Sequence, residues 1–281
     1  MNFLNYAAAT YCSQKEIEKW NCYNCQGFGK NTKDVVHASY DKLKSTAFTG
    51  VNHEKKIIVA AYRGTSNLDN WIINLKFGFI PLKANDTSSV KIHQGFSEAA
   101  DVLLYKMRPA ILMAMKKNPT YKVVFTGHSL GGALATLSAV KFAEEGLVNW
   151  DRIQLITFGQ PRVGNLAFAD YLDSKPIESA RVTTRGDIVP IVPGHMLGYY
   201  HSQHIVHMDM KGNPIECSST QEDPNCFRYF KELTLDAHFT YFNQRLNSNC
   251  QDPRTIDPRN WFQRTRDSVV GWWKEIWKKW F

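Results

Sequence analysis

One stretch constrains the chain more than any other: Lys122-Val123-Val124-Phe125-Thr126-Gly127-His128-Ser129-Leu130-Gly131-Gly132-Ala133-Leu134-Ala135. An apolar, β-branched run ends in a Gly-rich turn and passes directly into a helix-like run, so a buried strand must hand over to a helix at Ser129. Gly127 and Gly131 complete the G-x-S-x-G pattern, in which small neighbours allow the sharp turn that lifts a serine hydroxyl. The helix behind Ser129 would aim its unpaired N–H groups and positive dipole end at an oxyanion formed there. Strand, turn and helix together favour a nucleophile over an incidental serine in a βα turn.

Further strand-like runs are Lys55 to Tyr62, Arg152 to Phe158 and Ala180 to Arg185. Helix-like runs are Gln94 to Lys117, with a kink or restart expected at Pro109, Leu130 to Glu145 and Ala167 to Leu172. A short helix is expected around Ala7 to Cys12, and Phe77 to Val90 reads as loop, with Asn85-Asp86-Thr87 a glycosylation tripeptide if the protein is exported. The alternation predicts a largely parallel sheet covered on both faces. A length of 281 residues fits one such domain plus an appendage. The expected division is a domain over 1–250 and a tail over 251–281.

A serine needs a base to take its proton and an acid to fix that base, expected downstream in the order acid then histidine. Asp187 follows a predicted strand, where the carboxyl-end crevice of an open α/β sheet would hold it. Five histidines lie further on: His195, His201, His204, His207 and His238. His238 is chosen because Leu235 to Phe242 is a late segment with room for an exposed loop residue. The period of three in His201, His204 and His207 does not align side chains on one face of a strand, so a metal there is disfavoured.

After the strand ending at Tyr62, Leu68, Trp71, Ile72 and Leu75 fall at i, i+3, i+4 and i+7, a one-faced apolar helix where a polar loop is usual. An ordinary buried helix is the alternative. The six cysteines, Cys12, Cys22, Cys25, Cys217, Cys226 and Cys250, are even in number and lie near the two chain ends. They imply three disulfides among fifteen possible pairings, against a zinc or redox site built on Cys22 and Cys25. Disulfides place the chain in a secreted or otherwise oxidising setting. Residues 1 to 6 do not read as a signal peptide, so if disulfides form, an export signal is expected to have been removed or replaced by a start Met. A net charge of +8 without a run of five basic residues or a nucleic-acid motif argues against nucleic-acid binding. No run of about 18 apolar residues offers a membrane span.

From Ser268 to Phe281, Val269, Val270, Trp272, Trp273, Ile276, Trp277, Trp280 and Phe281 share half of a helical wheel, and Lys274, Glu275 and Lys278 the other half. Trp with Lys on one helix suits a lipid headgroup layer, and the net charge of +3 over 251–281 would favour anionic lipid. Packing back onto the domain or onto a second copy is the alternative.

Thr126-Gly-His-Ser-Leu-Gly-Gly-Ala, Tyr62-Arg-Gly-Thr, Phe158-Gly-Gln-Pro-Arg-Val-Gly-Asn, Thr184-Arg-Gly-Asp-Ile-Val-Pro and Leu235-Asp-Ala-His-Phe-Thr-Tyr-Phe together resemble the fungal-type class 3 lipases, an α/β-hydrolase family. The likeness covers about residues 5 to 250. It implies Ser129 as nucleophile, Asp187 as acid, His238 as base, and the backbone N–H groups of Thr65 and Leu130 as the oxyanion hole. It also implies a lid over Ser66 to Leu75, and pairing of Cys12 with Cys250, Cys22 with Cys25 and Cys217 with Cys226. The expected activity is that of a triacylglycerol lipase, hydrolysis of lipid esters at a lipid–water interface, by a monomer needing no cofactor or metal. Phospholipase A1 and feruloyl-type esterase activities share the same chemistry, and a catalytically silent lipid-binding protein is the reading from another class. The apolar residues of the lid segment favour lipid.

Overall fold

The computed structural model describes residues 3–65, 77–83, 89–209, 211–215, 217, 226, 233–242, 244–246 and 250. The lid segment with Leu68, Trp71, Ile72 and Leu75, the Asn85 tripeptide and the tail 251–281 lie outside the described residues.

After two short helices, α1 (Leu4–Ala9) and α2 (Gln14–Lys19), the chain lays down β1 (Lys33–Tyr40), β2 (Ser45–Asn52) and β3 (Ile57–Tyr62) as an antiparallel meander. A small antiparallel pair, β4 (Phe79–Pro81) and β5 (Lys91–His93), leads into the long helix α3 (Gln94–Lys117). Then β6 (Lys122–His128), α4 (Leu130–Glu144), β7 (Ile153–Phe158), α5 (Leu166–Asp173), β8 (Glu178–Thr184) and β9 (Ile205–Met208) alternate, and β10 (Pro214–Ile215) closes the edge. The sheet order is β1-β2-β3-β6-β7-β8-β9-β10, with parallel pairing from β3 through β9 and antiparallel pairing at both ends.

The inner strands are buried on both faces, which is why their sequences run apolar without alternation. Ile58, Ala60 and Tyr62 of β3, with Val123 and Phe125 of β6, join the core formed with α3 and α4. Ile57, Val59 and Ala61, with Val124, face the opposite layer, where Tyr6, Ile17 and Phe48 pack. A strand's period of two sends neighbours to opposite cores. Each large side chain buried in this way contributes about 1.5–3 kcal/mol.

Two expectations need correction. The segment Phe77 to Val90 is not all loop, since Phe79, Ile80 and Pro81 pair with His93, Ile92 and Lys91. Helix α3 runs through Pro109 instead of restarting there. Proline removes the hydrogen bond to the carbonyl four residues earlier, that of Tyr105. Pro109 and Tyr105 both lie on the exposed face, where water can take that carbonyl.

Register then sets the site. Tyr62 lies opposite Gly127, Gly127 opposite Thr157, and Phe158 opposite Val182. The segments leaving β3, β6, β7 and β8 therefore emerge side by side at the carboxyl edge of the sheet.

Candidate active site

Between the end of β6 at His128 and the start of α4 at Leu130, Ser129 stands alone with φ 59° and ψ −133°. A side chain in this region costs on the order of 1–3 kcal/mol and persists only where its surroundings enforce it. Here the Ser129 N–H donates to the Phe158 carbonyl and the Ser129 carbonyl accepts from the Gly132 N–H, each at 2.9 Å. Close packing requires the flanking glycines: a Cβ on Gly131 would sink into the Tyr62 backbone, and one on Gly127 into the Gly131 backbone. The Gly64 backbone also closes on the turn, since a Cβ there would come within 2.8 Å of Ser129 Cβ. Half-buried Thr65 is thus delivered beside Ser129. Leu130 opens α4, so its N–H is one of the first-turn donors that a helix leaves unpaired.

Asp187 follows β8 and is buried. Its Oδ1 accepts the Val189 N–H at 2.8 Å, its Oδ2 accepts the Tyr241 hydroxyl at 2.8 Å, and both oxygens lie 2.9 Å from His238 Nδ1. A carboxylate only accepts, so Nδ1 carries the proton and Nε2 is left as the proton acceptor. The Thr234 N–H donates to the Gly186 carbonyl at 2.7 Å, docking the segment that carries His238 onto the turn that carries Asp187. Burial, reinforced by the negative charge of Asp187 and the bond to it, pushes the Tyr241 phenol well above its usual range, so it stays a donor.

His238 is fully buried in a tight turn over Ala237–Phe239. This corrects the exposed loop position by which it was chosen: the segment folds back under the sheet edge. Among the described residues neither Ser129 Oγ nor His238 Nε2 is hydrogen-bonded, although both atoms are buried. Catalytic contacts of this kind are often long before substrate arrives.

The remaining histidines go elsewhere. His201 Nε2 meets the Pro190 carbonyl, His204 Nδ1 meets Ser179 Oγ, His207 Nδ1 meets Thr183 Oγ1, and His195 lies beside Arg162. His201, His204 and His207 do not share a ligand position. Among the described residues the one grouping with metal-ligand spacing is Cys12, Cys22 and Cys250. Their sulfurs are in disulfides, not thiolates: Cys12 joins Cys250, Cys22 joins Cys25, and Cys217 joins Cys226.

Tyr241 is a site residue that the sequence reading passed over, and so are His128 and Tyr11. Tyr241 and His128 lie inside the quoted motifs, but nothing in their spacing marks them as hydrogen-bond partners. Tyr11 carries no local signal, because its contact with His128 spans 117 residues.

A mostly parallel sheet with a serine on a strained strand-to-helix turn, and an Asp–His pair supplied from later in the chain, defines an α/β-hydrolase. The family model described as Lipase (class 3) matches residues 59–197. A secreted mono- and diacylglycerol lipase of Fusarium solani is 32% identical over 255 residues, covering 85% of this chain and 74% of that protein. The chain belongs to the class 3 lipase family. A lipase of Rhizomucor miehei is 33% identical over 229 residues, of which the match spans 62%. Among solved structures, the lipase of Rhizopus microsporus var. chinensis superposes with a TM-score of 0.79 at 28% identity, covering 89% of this chain and 88% of that one. A triacylglycerol lipase whose catalytic centre is described as a serine protease triad gives the same TM-score and identity over 89% of this chain and 95% of its own.

Proposed function

We propose that the chain is a serine ester hydrolase acting on lipid esters, with Ser129 as nucleophile, His238 as general base and Asp187 as its orienting acid. The carrying observation is the buried Asp187–His238 pair, with both oxygens 2.9 Å from Nδ1, supplied to the same sheet edge as the strained Ser129 turn. His238 Nε2 takes the Ser129 proton as Oγ attacks the ester carbonyl carbon, and the backbone N–H groups of Thr65 and Leu130 receive the oxyanion. The imidazolium returns the proton to the leaving alcohol. Water, deprotonated by the same nitrogen, then attacks the acyl-enzyme and restores Ser129. No step in this sequence calls for a metal or an organic cofactor.

In the same reading residues 1–250 form the catalytic domain, and the apolar face of Leu68, Trp71, Ile72 and Leu75 forms a lid whose opening a lipid surface would favour. The Trp-rich tail 251–281 would hold a monomer to that surface, most firmly where it is anionic. Three disulfides suit an oxidising or extracellular setting.

The test is hydrolysis of p-nitrophenyl butyrate, triolein, phosphatidylcholine and methyl ferulate, together with fluorophosphonate labelling. Triolein turnover and labelling of Ser129 are expected, both abolished by Ser129→Ala. Phosphatidylcholine or ferulate as the one substrate turned over would reassign the substrate class, and absence of labelling would sink the enzyme reading.

A further inference from the structure

A buried chain of hydrogen bonds runs beneath the site through side chains that take no part in the chemistry just described. The Tyr11 hydroxyl lies 2.7 Å from His128 Nδ1, and His128 Nε2 lies 2.8 Å from the backbone carbonyl of His238. A carbonyl oxygen only accepts, so Nε2 of His128 carries the proton. Its Nδ1 is then bare and accepts the Tyr11 hydroxyl proton. Both directions are thereby fixed, from Tyr11 to His128 and from His128 to His238. The Gly64 backbone packs directly on the Tyr11 hydroxyl, since a Cβ on Gly64 would come within 2.6 Å of that oxygen.

These bonds and this packing join three segments that the chemistry must hold in register. Gly64 precedes Thr65, His128 precedes Ser129, and the His238 carbonyl belongs to the candidate base itself. The anchor is firm, since Tyr11 is followed by Cys12, whose disulfide to Cys250 ties the start of the chain to the segment just beyond the base.

We propose that Tyr11 and His128 are positioning residues, a two-side-chain relay that fixes the backbone of His238 and with it the seat of its ring against Asp187. The proposal rests on the triad reading and adds to it the means by which the base is held. His128 suits the task because it stays neutral. Burial holds its imidazole well below the usual range, and the neighbouring His238 lowers it further. The two rings lie 4.3 Å apart, centroid to centroid, so a charge on His128 would oppose the imidazolium that forms on His238 during turnover. Among the described residues the other rings around His128 are those of Tyr11, Phe239 and Tyr241. Tyr11 also stays neutral, its phenol pushed up by burial despite the opposing charge of Arg63. A buried chain of neutral donors and acceptors is rigid, because breaking one link strands a polar group away from water.

The experiment uses the full chain and Tyr11→Phe, which keeps the ring and removes only the hydroxyl. On p-nitrophenyl butyrate, kcat is expected to fall about tenfold with KM unchanged within about twofold, the size of one lost buried hydrogen bond. The far-downfield proton resonance of His238 Nδ1–H should move as well. His128→Leu should lose more activity, about a hundredfold, while His128→Gln, whose amide can still donate to the His238 carbonyl, should recover most of that loss. An active wild-type chain whose Tyr11→Phe variant keeps both kcat and the resonance would overturn the relay and leave the triad standing. Equal losses in His128→Gln and His128→Leu would also overturn it. A wild-type chain that neither hydrolyses the ester nor takes a fluorophosphonate would instead defeat the triad reading.

Discussion

At Asp187 three donors converge on one carboxylate: the Val189 N–H, the Tyr241 hydroxyl and His238 Nδ1–H. The Tyr241 bond fixes the plane of the carboxylate, and with it the direction in which Asp187 holds the His238 ring. Tyr241→Phe removes that bond and nothing else of the side chain's shape. Loss of orientation should lower kcat by about tenfold. Turnover of p-nitrophenyl butyrate checks it, and an unchanged kcat would refute this role for Tyr241. Ser129 was legible at this scale because its neighbours must be glycine, a requirement visible in a string of letters. Tyr241 was not, because a donor to a carboxylate leaves no local pattern.

The element that packs closest on Asp187 and His238 is the turn leaving β7. Gly159 has φ +55°, and a Cβ there would come within 2.7 Å of His238 Cε1 and 2.8 Å of Asp187 Oδ2. Gly159→Ala should therefore displace the pair and cut kcat by more than about a hundredfold, a loss of roughly 3 kcal/mol of transition-state stabilisation. Gly146→Ala is the control. It has a similar φ of +70°, yet nothing lies within 4 Å of its Cβ position, so it should cost only about 1 kcal/mol of stability and leave kcat intact. Comparing the two by kcat and by thermal midpoint separates backbone strain from collision with the site; equal kcat in both would refute the collision. Elements with an unbroken apolar run, such as β6 and β7, could be read from the sequence. β1 and β2 could not: Lys33-Asp34-Val35-Val36-His37 is an edge strand largely open to solvent, and Ser45 to Asn52 mixes Thr, Gly and Asn with few large apolar residues. β4, three residues ending in Pro81, carries too little pattern to separate from loop.

At the scale of the molecule, two buried histidines among the described residues respond to acid. Burial depresses His207 to about 4 and holds His128 well below its usual range. Both are neutral when folded and take a proton when unfolded below about pH 6.5, so stability is intact above that pH and falls as the pH drops toward 4. His207 alone accounts for on the order of 3 kcal/mol over that window. His207→Asn, which can keep the bond to Thr183, should flatten the fall in thermal midpoint between pH 7 and 4; an unchanged slope would count against it. The largest single constraint is covalent. Cys12 and Cys250 close a loop of 238 residues, whereas Cys22 and Cys25 are three apart. In the chain-entropy account the first removes about 5 kcal/mol of unfolded-state freedom and the second about 2 kcal/mol. The double variant Cys12→Ser, Cys250→Ser should lower the thermal midpoint by roughly 10–20 °C, and Cys22→Ser, Cys25→Ser by less than half as much. The first pair also frees the end of the segment that carries Tyr11, so its kcat on a soluble ester should fall even at temperatures where the protein is folded. Removing the second pair should leave kcat close to wild type. Scanning calorimetry with single-turnover acylation at 20 °C reads the two effects apart, and equal thermal losses from the two pairs would show that loop length does not govern what these bridges contribute.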